Sequence, residues 1–167
     1  MSLPKVALVM GSDSDFPALK GCIKQLKSFG IEPVVRVLSA HRTPHEAAEF
    51  AEGAKDSGIS VIIGAAGKAA HLPGVLAAFT TLPVIGIPMK SSTLDGMDSL
   101  FSIVQMPKGI PVATVAIDGG DNAAILAAQI IALSNEEIAK KLEAFKAEMA
   151  TQVNEKNIKI QSEVDSL

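Results

Sequence analysis

Short apolar runs alternate with longer stretches of helical periodicity along this chain. That alternation predicts a parallel β-sheet joined by crossover helices. Lys5–Met10 (KVALVM) reads as a first strand. A helix over roughly Ser14–Phe29 follows, with Phe16, Leu19, Ile23, Leu26 and Phe29 at helical spacing and Gly30 as its stop. Pro33–Leu38 is a second strand. Thr43 as cap, Pro44 in the first position and Glu46 closing a capping box then start a helix that runs to Gly58. Val61–Ala65 is a third strand, apolar enough for burial on both faces. A helix near Pro73–Thr80 leads to a fourth strand, Val84–Pro88, and a helix near Met97–Val104 precedes a fifth, Val112–Ile117.

The Ala-rich run Asn122–Leu133 is apolar almost all round, so cover on every side is expected, shared between subunits. Ser134 and Glu137 make a second capping box ahead of an amphipathic C-terminal helix marked by Ile138, Leu142, Phe145, Met149 and Val153. Beyond Asn154 the pattern frays into polar residues, expected to pack on a neighbour or stay partly loose. The 167 residues make a single domain, 1–167, with a core over about 5–133 and a helix and tail over about 134–167.

Composition narrows the function classes. At 48% hydrophobic residues the chain buries a real core. A formal charge of -3 with neither Trp nor Tyr lacks the basic face and stacking aromatics of a nucleic-acid binder. No run approaches the roughly 18 apolar residues of a membrane helix. One cysteine, Cys22, and no basic-then-apolar leader favour the cytoplasm. Cys22 falls in the apolar helical pattern and is expected in the core, whereas His45, in a helix's first turn, is expected to be exposed.

In a doubly wound sheet, ligands sit beyond the carboxyl ends of the strands, and three polar segments fall there. GSDSD (Gly11–Asp15) follows the first strand. Gly11 permits a sharp turn, and Ser12 and Ser14 offer amides and hydroxyls to an anion at a helix start. Plain capping explains a serine but not Asp15, which suits ribose hydroxyls or an amino group. SAHRTP (Ser39–Pro44) follows the second strand. Arg42 can grip a phosphate with two parallel hydrogen bonds, Ser39 adds a donor, and His41 is the acid–base candidate. An isolated His-Arg pair is ordinarily a solvated loop; here two other polar loops stand beside it.

GAAGKAAHLPG (Gly64–Gly74) spans the end of the third strand. Its small residues let backbone approach a flat ligand, and His71 is either a second functional imidazole or a structural one. Gly67-Lys68 is no P-loop, because Ile62 and Ala69 stand where glycine and Ser/Thr are required. Gly11-Ser12-Asp13 likewise breaks a dinucleotide fingerprint. A phospho-receiver would need an aspartate where Gly64-Ala65 stand, and a flavin carrier would use stacking aromatics that are absent. No cluster has metal-ligand spacing, so neither a metal nor an organic cofactor is expected.

These segments, with SLFSIVQMPKGIPVATVAI (Ser99–Ile117), resemble the N5-carboxyaminoimidazole ribonucleotide mutase family of purine synthesis, in its bacterial class. The likeness runs from about Lys5 to Leu133. It implies a three-layer, flavodoxin-like α/β subunit assembled as a homo-octamer. It also implies a phosphorylated imidazole nucleotide as the small-molecule partner, with conversion of the N5-carboxylated nucleotide to the 4-carboxylated one. By position, it implies that His41 is the general acid–base and that His71 lines the reacting end. It likewise implies that Ser12, Asp15 and Arg42 bind the nucleotide, with Gly11, Ser14, Ser39, Gly67, Lys68, Ala69 and Leu72 expected as further contacts. Ala66 and Lys68 depart from the family pattern, which usually has glycines there. The nearest alternative is the sister carboxylase acting on aminoimidazole ribonucleotide and carbon dioxide; a non-catalytic flavodoxin-like module is more distant.

Overall fold

The computed structural model describes residues 3–167, so the first two positions of the expected 1–167 domain lie outside the described residues. The strands are β1 (Lys5–Met10), β2 (Glu32–Val37), β3 (Ile59–Ala66), β4 (Val84–Pro88) and β5 (Ala113–Thr114). All neighbours pair in parallel, in the order β2-β1-β3-β4-β5, the flavodoxin-like arrangement whose order reverses between β1 and β3. The helices are α1 (Phe16–Ser28), α2 (Pro44–Gly53), α3 (Leu72–Ala78), α4 (Met97–Val104), α5 (Gly120–Ala132) and α6 (Glu136–Asp165).

Strand alternation divides the core into two layers. Val6, Leu8 and Met10 of β1 and Val61, Ile63 and Ala65 of β3 face α1, α5 and α6. Ala7, Val9 and Ile62 face the other way, against α2, α3 and the buried Ile103 of α4. On that second face Gly64 and Gly86 are register partners. A Cβ on Gly64 would stand 3.1 Å from the Pro73 Cα, and one on Gly86 would stand 2.5 Å from the Ile103 Cγ2. The missing side chains therefore let α3 and α4 approach the sheet closely.

Several local expectations are corrected. The first helix is preceded by a 3-10 turn at Asp13–Asp15, and α1 begins only at Phe16. Thr43 precedes α2 but makes no capping bond; its hydroxyl accepts from the Ser39 N–H at 3.0 Å and donates to the Ser39 carbonyl at 3.2 Å. α2 also stops at Gly53, and turns continue to Gly58. Asn135 rather than Ser134 caps α6, its side chain accepting from the Ile138 N–H at 3.1 Å.

The tail beyond Asn154 remains helical to Asp165, although exposed. β5 is only two residues long. Within one chain, α5 buries Ala123, Ala124, Ala127, Ala128 and Ile131 but leaves Ile125, Leu126 and Ile130 half-buried, and Leu133, just past its end, is 89% exposed. Its expected all-round cover is therefore not complete in the single chain.

Candidate active site

The sheet brings the carboxyl ends of β2, β1, β3 and β4 side by side. Main-chain bonds continue past the strands: Leu38 N–H donates to Met10 O (3.0 Å), Gly11 N–H to Ala65 O (3.2 Å) and Met89 N–H to Ala66 O (2.9 Å). The loops that follow are thus held edge to edge. They enclose an open cleft of about 690 Å3, within the usual size range for a small-molecule site.

In the first loop, Ser12 precedes the 3-10 turn, and its hydroxyl accepts from the Ser14 N–H (3.3 Å) and the Ser14 hydroxyl (2.9 Å). Asp15 precedes α1 yet makes no side-chain capping bond, so helix capping does not account for its carboxylate. Burial first, then the neighbouring Asp118 and Asp13, holds that carboxyl above the ordinary value. In the second loop, the Arg42 N–H donates to the Ser39 hydroxyl at 3.1 Å. The Arg42 guanidinium crosses to the first loop, donating from Nη2 to the Gly11 carbonyl at 3.1 Å. One arm of a cation is therefore fixed beside the two serines.

His41 and His71 meet across the cleft. His41 Nε2 lies 3.1 Å from His71 Nδ1, with the rings edge-on at 78°. One ring must donate and the other accept, so the contact ties proton placement on one imidazole to the other. His71 stands just before α3, after a tight turn in which the Ala70 N–H donates to the Lys68 carbonyl and the His71 N–H to the Ala69 carbonyl, both at 2.8 Å. Lys68 has φ 57, the left-handed region that favours glycine.

The cleft lining includes every residue expected from the sequence to bind or react with a ligand. Gly11, Ser12, Ser14 and Asp15 come from the first loop, and Ser39, His41 and Arg42 from the second. Gly67, Lys68, Ala69, His71 and Leu72 come from the third.

Comparison with known proteins settles the kinship of this arrangement. The family model for AIR carboxylase matches residues 5–152. The chain belongs to the AIR carboxylase family. It is 54% identical over 154 residues to an N5-carboxyaminoimidazole ribonucleotide mutase of Thermotoga maritima, covering 92% of this chain and 90% of that one. The Pyrococcus abyssi mutase is 54% identical over 149 residues, covering 89% and 86%. A phosphoribosylaminoimidazole carboxylase of Candida glabrata is 50% identical over 159 residues, which span 95% of this chain but 28% of that protein. Among solved structures, Treponema denticola PurE superposes with a TM-score of 0.86 at 32% identity, covering 93% of this chain and 98% of that one.

This member of the AIR carboxylase family has a fourth wall that the sequence reading passed over: Lys90, Ser91 and Ser92, just after β4. A signal was present, since the polar run follows the carboxyl end of a strand as the other loops do. Ser91 donates to Asp98 at 2.8 Å, and Lys90 pairs with Asp95 at 3.4 Å. Among the described residues no cluster of His, Cys, Asp or Glu is placed to hold a metal ion, and no helix is long and apolar enough to cross a membrane. His45 is exposed. Cys22 is fully buried, and its thiol is pushed up to about 12 by burial and, second, by Asp121.

Proposed function

We propose that this chain is an N5-carboxyaminoimidazole ribonucleotide mutase, an isomerase that moves a carboxylate from the exocyclic nitrogen to ring carbon 4 of the nucleotide. The observation that carries the reading is the His41–His71 contact, set in one cleft with Arg42, Ser12 and Ser14. The mutases of Thermotoga and Pyrococcus, alike over most of their length, support it.

The residues suit each part of the chemistry. Arg42, Ser12, Ser14 and Ser39 bind the phosphate through charge-assisted hydrogen bonds. Asp15 accepts from the ribose hydroxyls or the amino group. The backbone of Gly67 and Ala69, with Leu72, walls the heterocycle, and His71 lines the reacting end. His41 starts with a proton. The nitrogen–carbon bond breaks, carbon dioxide leaves, and His41 gives its proton to the exocyclic nitrogen, leaving the neutral aminoimidazole. Ring carbon 4 then attacks the trapped carbon dioxide, and His41 takes the proton from that carbon. Proton and charge balance, and the imidazole returns to its starting state. General acid–base catalysis of this kind contributes about 10²–10⁴-fold, and holding carbon dioxide against the ring adds effective concentration. Lys68 stands at the same loop as a cation for the substrate's carboxylate or phosphate.

The working form we propose is a homo-octamer in the cytoplasm. Phe101 and Val104 on α4 and Ile158 and Val164 on α6 are apolar and exposed in the single chain, which suits burial between subunits. Light scattering checks this, and a monomer at working concentration would contradict it. The carboxylase likeness from Candida favours a second reading, direct carboxylation of aminoimidazole ribonucleotide. Supplying each substrate separately decides the matter. The mutase reading expects rapid turnover of the N-carboxylated nucleotide; turnover only of aminoimidazole ribonucleotide with carbon dioxide would replace it with the carboxylase.

A further inference from the structure

One carboxylate outside the cleft is held in a strained backbone conformation with its side chain turned onto the cleft's fourth wall. Asp118 follows β5 at φ 54, in the left-handed region. Its own N–H donates to the Pro88 carbonyl at 2.9 Å, and its Oδ1 accepts the Lys90 backbone N–H at 2.9 Å. β5 pairs with β4 only through Ile85 and Gly86, so where Lys90 stands there is no strand left to take its N–H. A side chain supplies the acceptor that the sheet lacks. A Cβ on Gly67 would stand 3.7 Å from the Met89 Cβ, so this wall adjoins the loop that carries Lys68 and His71.

We propose that Asp118 is a positioning residue of the active site: by accepting the Lys90 N–H it fixes the Lys90–Ser92 rim against the bound nucleotide. The inference rests on the nucleotide reading of the cleft. Glycine is the residue that a left-handed position accommodates most readily, so an aspartate there gives up backbone comfort for an acceptor. Asp118 does not itself line the cleft and acts through the rim. Its charge also reaches the first loop, where it is the second cause that holds the Asp15 carboxyl high.

Two variants separate the side chain from the backbone. Asp118→Gly keeps the left-handed turn and removes the acceptor; Asp118→Asn keeps both the acceptor and a residue type tolerated there. For the carboxyl shift, Asp118→Gly is expected to raise KM about tenfold, with kcat within about threefold, as loss of one hydrogen bond from a backbone N–H implies. Lys90 amide hydrogen exchange should accelerate about tenfold in the same variant, and Asp118→Asn should restore both readouts. An Asp118→Gly chain with wild-type KM, or with unchanged Lys90 exchange, overturns the proposal. So does a lowered melting temperature with KM unmoved, which would make the residue merely structural. A wild-type chain inert toward the nucleotide would count against the functional reading, whereas the exchange rates need no substrate and judge the hydrogen bond on their own.

Discussion

Replacing His41 by alanine separates folding from catalysis. The side chain is exposed, and among the described residues its one side-chain hydrogen-bonding contact is with His71 at 3.1 Å. Losing an exposed polar contact of that kind changes stability by less than about 0.5 kcal/mol. For a domain of this size that is a melting shift of at most about 2 °C. The proton duties are another matter. If His41 both donates at nitrogen and accepts at carbon, its removal lowers turnover by about 10²–10⁴-fold, or roughly 3–5.5 kcal/mol of barrier. Nucleotide affinity should barely move, because Arg42 and the serines remain. The assay is single-turnover conversion of the N-carboxylated nucleotide, followed by chromatography, beside a thermal melt and calorimetric titration of the same sample. Turnover within about threefold of wild type would remove His41 from the mechanism. A melting loss of about 10 °C would mean that the imidazole pair holds the fold despite its exposure.

Arg42→Ala should weaken nucleotide binding by about 10- to 150-fold, the value of one charge-assisted bond, and unchanged affinity by calorimetry contradicts the phosphate clamp. Gly86→Ala drives a Cβ to 2.5 Å from the Ile103 Cγ2 and 2.9 Å from the Val112 Cγ1, and Ile103 is fully packed. A cost of about 1–3 kcal/mol is expected, with a melting point about 2–10 °C lower; an unaltered melt would show that α4 can retreat. Asp15 has a folded-state pKa raised above the ordinary 3.8, so the folded chain holds its proton more tightly than the unfolded one. Its stabilising protonated form is lost as pH climbs from 3.8 through the raised folded value, and the cost is complete above that. Asp15→Asn should therefore be more stable than wild type at neutral pH and equal to it well below 3.8, while binding nucleotide less well. Denaturant titrations at both pH values check this, and a destabilised variant at neutral pH reverses the sign.

The centre of the sheet was legible from the sequence because β1, β3 and β4 are buried on both faces. Val84–Pro88 and Met97–Val104 occur as read, and Lys5–Met10 needs no change. Local chemistry was harder to read. Thr43 has the right neighbours for a capping box, but its hydroxyl closes the Ser39 turn instead, a competition that residue spacing does not show. Asn135 and Ser134 are both good caps, and only the chain's path chooses between them. The polar tail stays helical beyond its apolar stripe, with Lys159–Glu163 continuing the turn-spaced ion pairs begun by Lys140–Glu136 and Lys141–Glu137.

The three motif loops were found because each combines polar residues of distinct chemistry. Lys90–Ser92 carries no histidine or arginine, and its place in the cleft depends on Asp118, twenty-eight positions away in sequence. The apolar faces of α4 and α6 could be read as hydrophobic positions, but what covers them depends on contacts beyond one chain.

The central claim is that one carboxyl group travels from nitrogen to carbon without leaving the cleft. Carbon-13 in the N-carboxylate, with an excess of unlabelled bicarbonate outside, tests it directly. Carbon NMR of the 4-carboxylated product should find the label retained; a product bearing the bicarbonate's unlabelled carbon would contradict the account.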